Sequence, residues 1–183
     1  MRDILFILFL GVSILFPPKA RAQSGPGCGP ATAKFDVSTD KDQRSAPPGE
    51  PGKALVFFLQ DDLKFDSAPR PTTRFGVDGT WVGATHANSY FYVYVDPGEH
   101  HLCANWQSIH VPSYIGAKRS TAAAHFTAEA GKSYFFRARD IARTDHPGGP
   151  VVSEPEVLLE PVDSDEAQVL MGTFSFSSSH QKK

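Results

Sequence analysis

Seven histidines are the side chains of this chain best suited to hold a metal ion or to move a proton. They are His86, His100, His101, His110, His125, His146 and His180. A zinc site needs several converging ligands, but His100 and His101 are adjacent in a predicted strand and therefore point to opposite faces. No H-x-x-x-H spacing is present. The sequence therefore predicts no metal site and no cofactor.

The hydroxyl and carboxyl side chains show no recognised catalytic arrangement either. The sequence has no G-x-S-x-G motif, and its serines cluster in predicted loops and in the tail. Two acidic groups, Asp61/Asp62/Asp66 and Asp163/Asp165/Glu166, lack the alternating oxygen ligands and central glycine of a calcium loop. We therefore expect a protein that is not an enzyme and has no catalytic residues.

The two cysteines, Cys28 and Cys103, predict one disulfide if the chain reaches an oxidising compartment. Closing so long a loop stabilises a fold by about 4 kcal/mol in the chain-entropy model. One alternative makes Cys28 a lipid attachment site, although Gly25-Pro26-Gly27 before it lacks the aliphatic residue of such sites. The other makes Cys103 a thiolate nucleophile, which the sequence supports less well than a disulfide.

The N-terminal residues resemble a secretory signal. Arg2 precedes an apolar run over residues 4–16, and Ala20-Arg21-Ala22 supplies small residues for a signal peptidase. We predict a signal peptide over residues 1–22 with cleavage after Ala22, and a periplasmic or extracellular protein. An uncleaved anchor is the weaker alternative, because the apolar run is short for a membrane span.

Residues 23–183 form the predicted mature chain, and no later stretch in it is apolar enough to cross a membrane. Its formal net charge is −4, because residues 1–22 carry a net +2 of the whole chain's −2. A mildly acidic protein is a poor match for nucleic acid. The partners that we expect are an envelope protein or a cell-wall glycan; the composition does not indicate an oligomeric state.

Residues 74–106 contain the strongest strand and turn signals. Asp78-Gly79 and Asp96-Pro97-Gly98 are typical of tight turns, and residues 89–95 (SYFYVYV) are rich in β-forming types. Near the end of this stretch, Leu102 and Trp106 share one strand face and Cys103 points the other way. The N-terminal segment could therefore reach Cys103 on the outer face.

Further strands are predicted on both sides of this stretch. Residues 54–60 (ALVFFLQ) are apolar on both faces, which favours a buried central strand. Residues 34–37 could add to a sheet edge. Other strand segments are residues 122–129, 132–139 and 157–161. About seven or eight short strands predict an all-β fold, either an antiparallel β-sandwich or an open barrel.

One helix is predicted over residues 163–171. Asp163 can cap it, Glu166 is in the reciprocal capping position, and Gly172 follows as a stop signal. With this short C-terminal helix, the predicted organisation is an N-terminal extended segment with a Pro/Gly-rich linker (23–52), a β-sandwich domain (53–176) and a disordered tail (177–183).

The candidate ligand surface consists of Tyr90, Tyr92 and Tyr94, which alternate along one strand and share a face. If that face were exposed, it could stack on sugars or cover an apolar partner patch. In the alternative interpretation, which we favour, both faces of the strand are covered, one by the second sheet and one by the helix or the N-terminal segment.

Four segments also resemble a known family. They read KALVFFLQD, RFGVDGTWVG, NSYFYVYVDPGEHHLCAN and AHFTAEAGKSYFFRAR. From Lys53 onward the chain resembles the exported bacterial proteins known as domain of unknown function 2846, and the V-D-G and D-P-G-E-H pattern is also similar to PEGA-type β-domains of bacterial envelopes. The resemblance implies a small β-sandwich outside the cytoplasm, often lipid-anchored in relatives, without an established activity or assigned catalytic residues. Because this chain lacks a good lipobox, a soluble form is expected.

Together these features predict an exported, non-enzymatic β-sandwich domain of the bacterial cell envelope that contacts another protein or the cell wall. The alternative is a carbohydrate- or peptide-binding module that uses the aromatic strand face of Tyr90, Tyr92 and Tyr94.

Overall fold

The computed structural model of the chain describes residues 28–42, 47–61, 72–108, 121–144 and 153–183. Within these ranges the chain forms ten strands and one helix. They are β1 (Phe35–Asp40), β2 (Ala54–Gln60), β3 (Thr72–Val77), β4 (Thr80–Thr85), β5 (Ser89–Val95), β6 (Gly98–Ser108), β7 (Thr121–Ala128), β8 (Ser133–Thr144), β9 (Ser153–Val162), α1 (Ser164–Thr173) and β10 (Ser175–Gln181). The predicted signal peptide lies outside the described residues.

The strands form two sheets that pack face to face. One has six strands in the order β1-β10-β5-β2-β8-β9, and the other has four in the order β4-β3-β6-β7. The predicted all-β sandwich with one short C-terminal helix is confirmed, and the described strands do not close into a barrel. The pairs β2–β8 and β10–β5 are parallel, and the other strand pairs described are antiparallel. Each parallel pair arises because the chain passes through other elements before it returns to the sheet.

The core lies between the two sheets and centres on three phenylalanines. The rings of Phe58, Phe75 and Phe91 lie 4.9 to 5.7 Å apart, measured between centroids. Phe58 comes from β2, whose residues are buried on both faces, as the apolar run predicted. Gly83 on β4 leaves room for this cluster, since a Cβ there would lie 2.6 Å from the Phe91 ring. The close approach of the two sheets therefore requires glycine at this position.

Helix α1 covers the outer face of the six-stranded sheet. Its N-cap is Asp163, as predicted, and the carboxylate accepts hydrogen bonds from the N–H groups of Asp165 and Glu166. The helix continues through Gly172 and ends at Thr173, and the N–H of the C-cap residue Phe174 donates to the Leu170 carbonyl (2.9 Å). The prediction that Gly172 ends the helix was therefore wrong, because the buried Phe174 holds the last turn against the sheet.

The N-terminal segment covers part of the outer face of the four-stranded sheet. Cys28 is joined to Cys103 by the predicted disulfide, with the two Cα atoms 5.3 Å apart. The Arg74 guanidinium lies 4.3 Å from the centre of the Trp81 ring and donates hydrogen bonds to the carbonyls of Ala31 and Ala33. These contacts place the segment on the face opposite the core, as strand parity predicted.

Part of the predicted disordered tail (177–183) is ordered, so that prediction was wrong. Strand β10 lies between β1 and β5, and its residues 176–181 pair with the whole of β1. Its serines have low β propensity, but their hydroxyls find partners inside the sandwich. The Ser177 hydroxyl lies 2.7 Å from that of Ser89, and the Ser179 hydroxyl accepts a hydrogen bond from the N–H of Ala84 (3.0 Å). Pairing with distant strands overrides the local preference.

Candidate ligand-binding groove

A groove of about 640 Å³ crosses the outer face of the six-stranded sheet. Its floor is formed by side chains of β2, β5 and β8. Its walls are α1 on one side and, on the other, the segment 47–53 together with the turn that joins β7 to β8. This volume falls within the range of small-molecule sites in proteins, about 300–1,000 Å³.

Aromatic and aliphatic side chains form the floor of the groove. Phe57 and Phe135 stack on each other, with ring centroids 4.9 Å apart and planes inclined by 15°. Leu55 lies beside them, and Tyr90 and Tyr94 contribute from the neighbouring strand. Phe57 and Tyr90 are buried, whereas Leu55, Tyr94 and Phe135 are partly exposed. The exposed parts offer an apolar surface to a ligand, and the buried rings support it from below.

The three tyrosines alternate along β5 and share one of its faces, but they do not form one exposed platform. Tyr90 is only 5% exposed and packs edge-on against Phe176. Tyr92 and Tyr94 are half-buried, and their ring centroids are 6.2 Å apart. The other face of the strand packs into the core through Phe91, so the interpretation in which both faces are largely covered describes this strand better.

Charged groups lie along the rim of the groove. The Lys53 ammonium lies 2.8 Å from the Asp96 carboxylate, and this hydrogen bond raises the pKa of Lys53. Glu50, Lys132 and Gln168 line the same rim and are exposed. The rim therefore carries both signs of charge and amide groups around an apolar floor, the arrangement that orients a ligand by a few polar contacts.

The Tyr94 hydroxyl joins the floor to the wall. It donates a hydrogen bond to the carbonyl of Pro48. Desolvation raises the pKa of Tyr94, and Tyr92 and Glu50 add smaller effects in the same direction. The phenol therefore keeps the proton that this bond needs. Segment 47–53 is held against β5 by this contact, which fixes the width of the groove on that side.

The opposite wall, α1, is held to the sheet by a network of ion pairs around Arg137. The guanidinium lies 2.6 Å from a Glu166 oxygen on α1 and 2.8 Å from Glu160 on β9, with Asp61 at 3.6 Å. Burial acts to raise the pKa of Glu160, but its hydrogen bonds to Arg137 and Arg139 outweigh burial and lower it. For Asp61 burial prevails, and its pKa is raised despite the arginines.

This network changes the role that the sequence indicated for Glu166. The reciprocal capping position predicted that its carboxylate returns to the helix N-terminus, whereas the structure directs it to Arg137. A capping bond joins only neighbouring residues, but the pair with Arg137 joins α1 to the sheet. Glu166 therefore contributes to the position of the groove wall.

A second polar cluster brings together the two turn motifs of residues 74–106. His100 Nδ1 lies 2.6 Å from Asp78 Oδ2, and His100 Nε2 lies 2.7 Å from the carbonyl of Asp96. Both partners offer acceptor oxygens, so the protonated ring can donate a hydrogen bond from each of its nitrogens. Desolvation acts to lower the pKa of His100, but the bonds to Asp96 and Asp78 outweigh it and raise the pKa.

Asp78 is fixed by the same contacts. Its other carboxylate oxygen accepts a hydrogen bond from the backbone N–H of His101 (2.9 Å). Desolvation acts to raise the pKa of Asp78, and the bonds to His101 and His100 outweigh it and lower the pKa. The cluster joins the β3–β4 turn to the β5–β6 turn. Its side chains are all engaged with one another, which marks it as a structural clasp.

The histidine arrangement agrees with the parity argument from the sequence. His100 is buried and His101 is exposed, so the two side chains do point to opposite faces. Within the parts of the chain that the structure describes, no group of three or more His, Cys, Asp or Glu side chains converges to hold a metal ion. His110 and His146 lie outside those parts.

Most of the groove was not predicted from the sequence. Tyr90 and Tyr94 were predicted as a candidate ligand surface, but Leu55, Phe57 and Phe135, which form the centre of the floor, were not. A signal was present, because Phe57 alternates with the core residue Phe58 and so had to face the outer side of the sheet. The parallel register that sets Phe57 beside Phe135 could not be read from the sequence.

Comparison with known proteins assigns the chain to a family but not to a function. The model of one family, described as "protein of unknown function (DUF2846)", matches residues 50–150. The match includes β2 to β8 and residues 50–53 of the segment that walls the groove, and it excludes Cys28, α1 and β10. No curated protein matches the chain, and no solved structure matches it. The similarity to PEGA-type β-domains stays a prediction. Because the matched residues make up more than half of the sequence, the chain belongs to the DUF2846 family.

Proposed function

We propose that the chain is an exported, non-enzymatic binding module of the bacterial cell envelope, and that it contacts its partner through the groove between α1 and segment 47–53. The observation that carries this proposal is the groove itself, with partly exposed Leu55, Tyr94 and Phe135 on the floor and charged groups on the rim. Apolar contact there supplies affinity, and the rim selects the orientation of the ligand.

Two features support a location outside the cytoplasm. The Cys28–Cys103 disulfide persists only where thiols are not kept reduced. Residues 1–22 have the pattern of a signal peptide, which is an expectation from the sequence. Among the described residues, no helix has the length and apolar character needed to span a membrane.

The rigidity of the walls supports binding at this place rather than elsewhere on the surface. The ion pairs of Arg137 hold α1, and the Tyr94–Pro48 hydrogen bond holds segment 47–53. A preformed groove loses little conformational freedom when a ligand enters, so more of the contact energy appears as affinity.

The proposal is tested by photo-crosslinking in the native envelope. A benzophenone amino acid is placed at Gln168 or Ser133, which line the groove and are exposed, and at Thr127, which is exposed on the other sheet. We expect a discrete adduct from the first two positions and not from Thr127. The same adducts from all three positions, or no adduct from the groove, would contradict the proposal.

The adduct also separates the two kinds of partner. A protein partner gives a protease-sensitive band, and a cell-wall glycan gives an adduct that a glycan hydrolase removes. The aromatic floor favours a carbohydrate or a peptide as the alternative ligand, since sugar faces and apolar side chains both pack on exposed rings.

Adjacent helix residues provide a matched pair of blocking variants. Gln168→Trp places an indole over the groove, whereas Val169→Trp places it on solvent-facing helix surface, because Val169 is 72% exposed and does not line the groove. We expect binding of the crosslinked partner to be lost in the first variant and kept in the second. Equal binding by both would place the contact elsewhere.

A further inference from the structure

Two histidines lie opposite each other on the outer face of the four-stranded sheet. His101 on β6 is the register partner of His125 on β7 in an antiparallel pair. Both side chains are exposed, and the next residues, Leu102 and Phe126, pack into the core. Because side chains alternate along a strand, the two imidazoles project from the same outer face.

The backbone of His101 identifies the type of this pair. Its N–H donates to Asp78 Oδ1 (2.9 Å), and its carbonyl accepts from the N–H of Asp78 (2.9 Å). Both backbone groups therefore face Asp78, on the β3 side, and leave none directed at β7. His101 and His125 form a non-hydrogen-bonded pair, the type in which opposite Cα atoms are about 4.5 Å apart and the side chains are closest.

Two imidazoles held in this way can chelate a transition-metal ion. Imidazole nitrogen suits zinc, copper and nickel, and among divalent ions the affinity of such ligands is highest for Cu²⁺. Because the sheet fixes both strands, the second ring meets an ion already bound to the first at a high effective concentration. The chelate therefore binds more tightly than either histidine alone.

The residues around the His101–His125 pair determine how many metal ligands the protein supplies. Glu99 lies on the same strand face, opposite Thr127 and diagonal to His125. No third carboxylate or imidazole among the described residues completes a cluster with the pair. The protein thus offers two nitrogen ligands, and water or an external group takes the remaining positions.

We propose that His101 and His125 form a surface site for a divalent transition-metal ion, with Cu²⁺ bound more tightly than Zn²⁺. The site is on the sheet opposite the groove and does not depend on the proposed function. The adjacent histidines His100 and His101 point to opposite faces and cannot share a metal ion. The strand register joins His101 to a different histidine, 24 residues further along the chain.

Isothermal titration of CuCl₂ or ZnCl₂ into the purified protein tests the site. We expect one Cu²⁺ per chain at this pair, and His101→Thr or His125→Thr should weaken its binding by roughly 100-fold through loss of the chelate. Threonine keeps the strand preference of the position. The matched control is His180→Thr, an exposed strand histidine that lies opposite Asp36 and should leave the affinity unchanged.

Nuclear magnetic resonance gives a second measurement that needs no variant. Substoichiometric Cu²⁺ should broaden the ring resonances of His101 and His125 before those of the other histidines. Unchanged affinity in both threonine variants, or first broadening at other histidines, would overturn the proposal.

Discussion

Removing the disulfide tests how far the N-terminal segment depends on its covalent tether. The variant Cys28→Ala/Cys103→Ala opens a loop with a sequence separation of 75 residues. In the chain-entropy model a loop of this length contributes about 4.5 kcal/mol to the free energy of unfolding at 25 °C, almost all of it through the unfolded state. Alanine is chosen because Cys103 is fully buried among apolar side chains, where a serine hydroxyl would lack a partner.

The folded structure should survive this change because other contacts hold the same segment. The Trp81 indole N–H donates to the carbonyl of Pro30 (2.9 Å), and the Gln107 amide donates to the carbonyl of Phe35 (2.7 Å). Strand β1 also pairs with β10 along its length. We therefore expect a folded protein with lower stability and unchanged far-ultraviolet circular dichroism.

Urea denaturation of the oxidised wild type and of the double alanine variant measures the difference. We expect a loss of about 3–5 kcal/mol, and slower refolding for the variant because the cross-link no longer shortens the search for the native pairing. The wild type in reductant is the control and should match the variant. A loss below about 1 kcal/mol would refute the loop-entropy reasoning and mean that the unfolded chain is already compact near these residues.

Three further changes probe the core, the clasp and the helix. Gly83→Ala should lower the free energy of unfolding by about 1–3 kcal/mol, because the added Cβ would lie 2.6 Å from the Phe91 ring. The melting temperature should fall accordingly, and an unchanged melting temperature would contradict this prediction. Because the pKa of His100 is raised on folding, its contribution to the free energy of unfolding is complete below the unfolded pKa of about 6.5 and declines as pH rises through the folded pKa. The urea midpoints of the wild type should therefore converge on those of His100→Gln between pH 6 and 9. A constant gap between the two proteins would contradict the sign. Arg137→Met should lower the free energy of unfolding by about 1–3 kcal/mol and speed amide exchange in α1, whereas the more exposed Arg139→Met should lower it by under about 1 kcal/mol. Equal losses in the two variants would show that the pair with Glu166 does not hold the helix.

The clasp around His100 gives a physical meaning to two turn segments of the sequence. The V-D-G and D-P-G-E-H segments read as two independent turn signals in the sequence. In the structure their side chains meet, since Asp78 binds the ring of His100 and the carbonyl of Asp96 binds its other nitrogen. Both segments lie inside the residues matched by the family. The two segments therefore meet in one contact between the β3–β4 hairpin turn and the turn that leads from β5 in one sheet to β6 in the other.

Local chemistry explains what the sequence could determine. Asp78 and Gly79 both have positive φ, 49° and 79°, as the Asp-Gly turn predicted. Asp163 caps the helix because its carboxylate needs only the next two or three N–H groups. Strand alternation was enough to place Cys103 on the face opposite Leu102 and Trp106. Each of these predictions depends on residues that are neighbours in the chain.

Only the tertiary structure decided the features that depend on distant pairing. Strand β10 exists because β1 and β5 satisfy its backbone, although its serines alone predict disorder. The parallel register of β2 and β8 creates the groove floor, and the antiparallel register of β6 and β7 sets His101 against His125. A shift of either register by one residue would turn these side chains to the opposite face. The sequence determined which residues could form these surfaces, and long-range backbone pairing decided which of them meet.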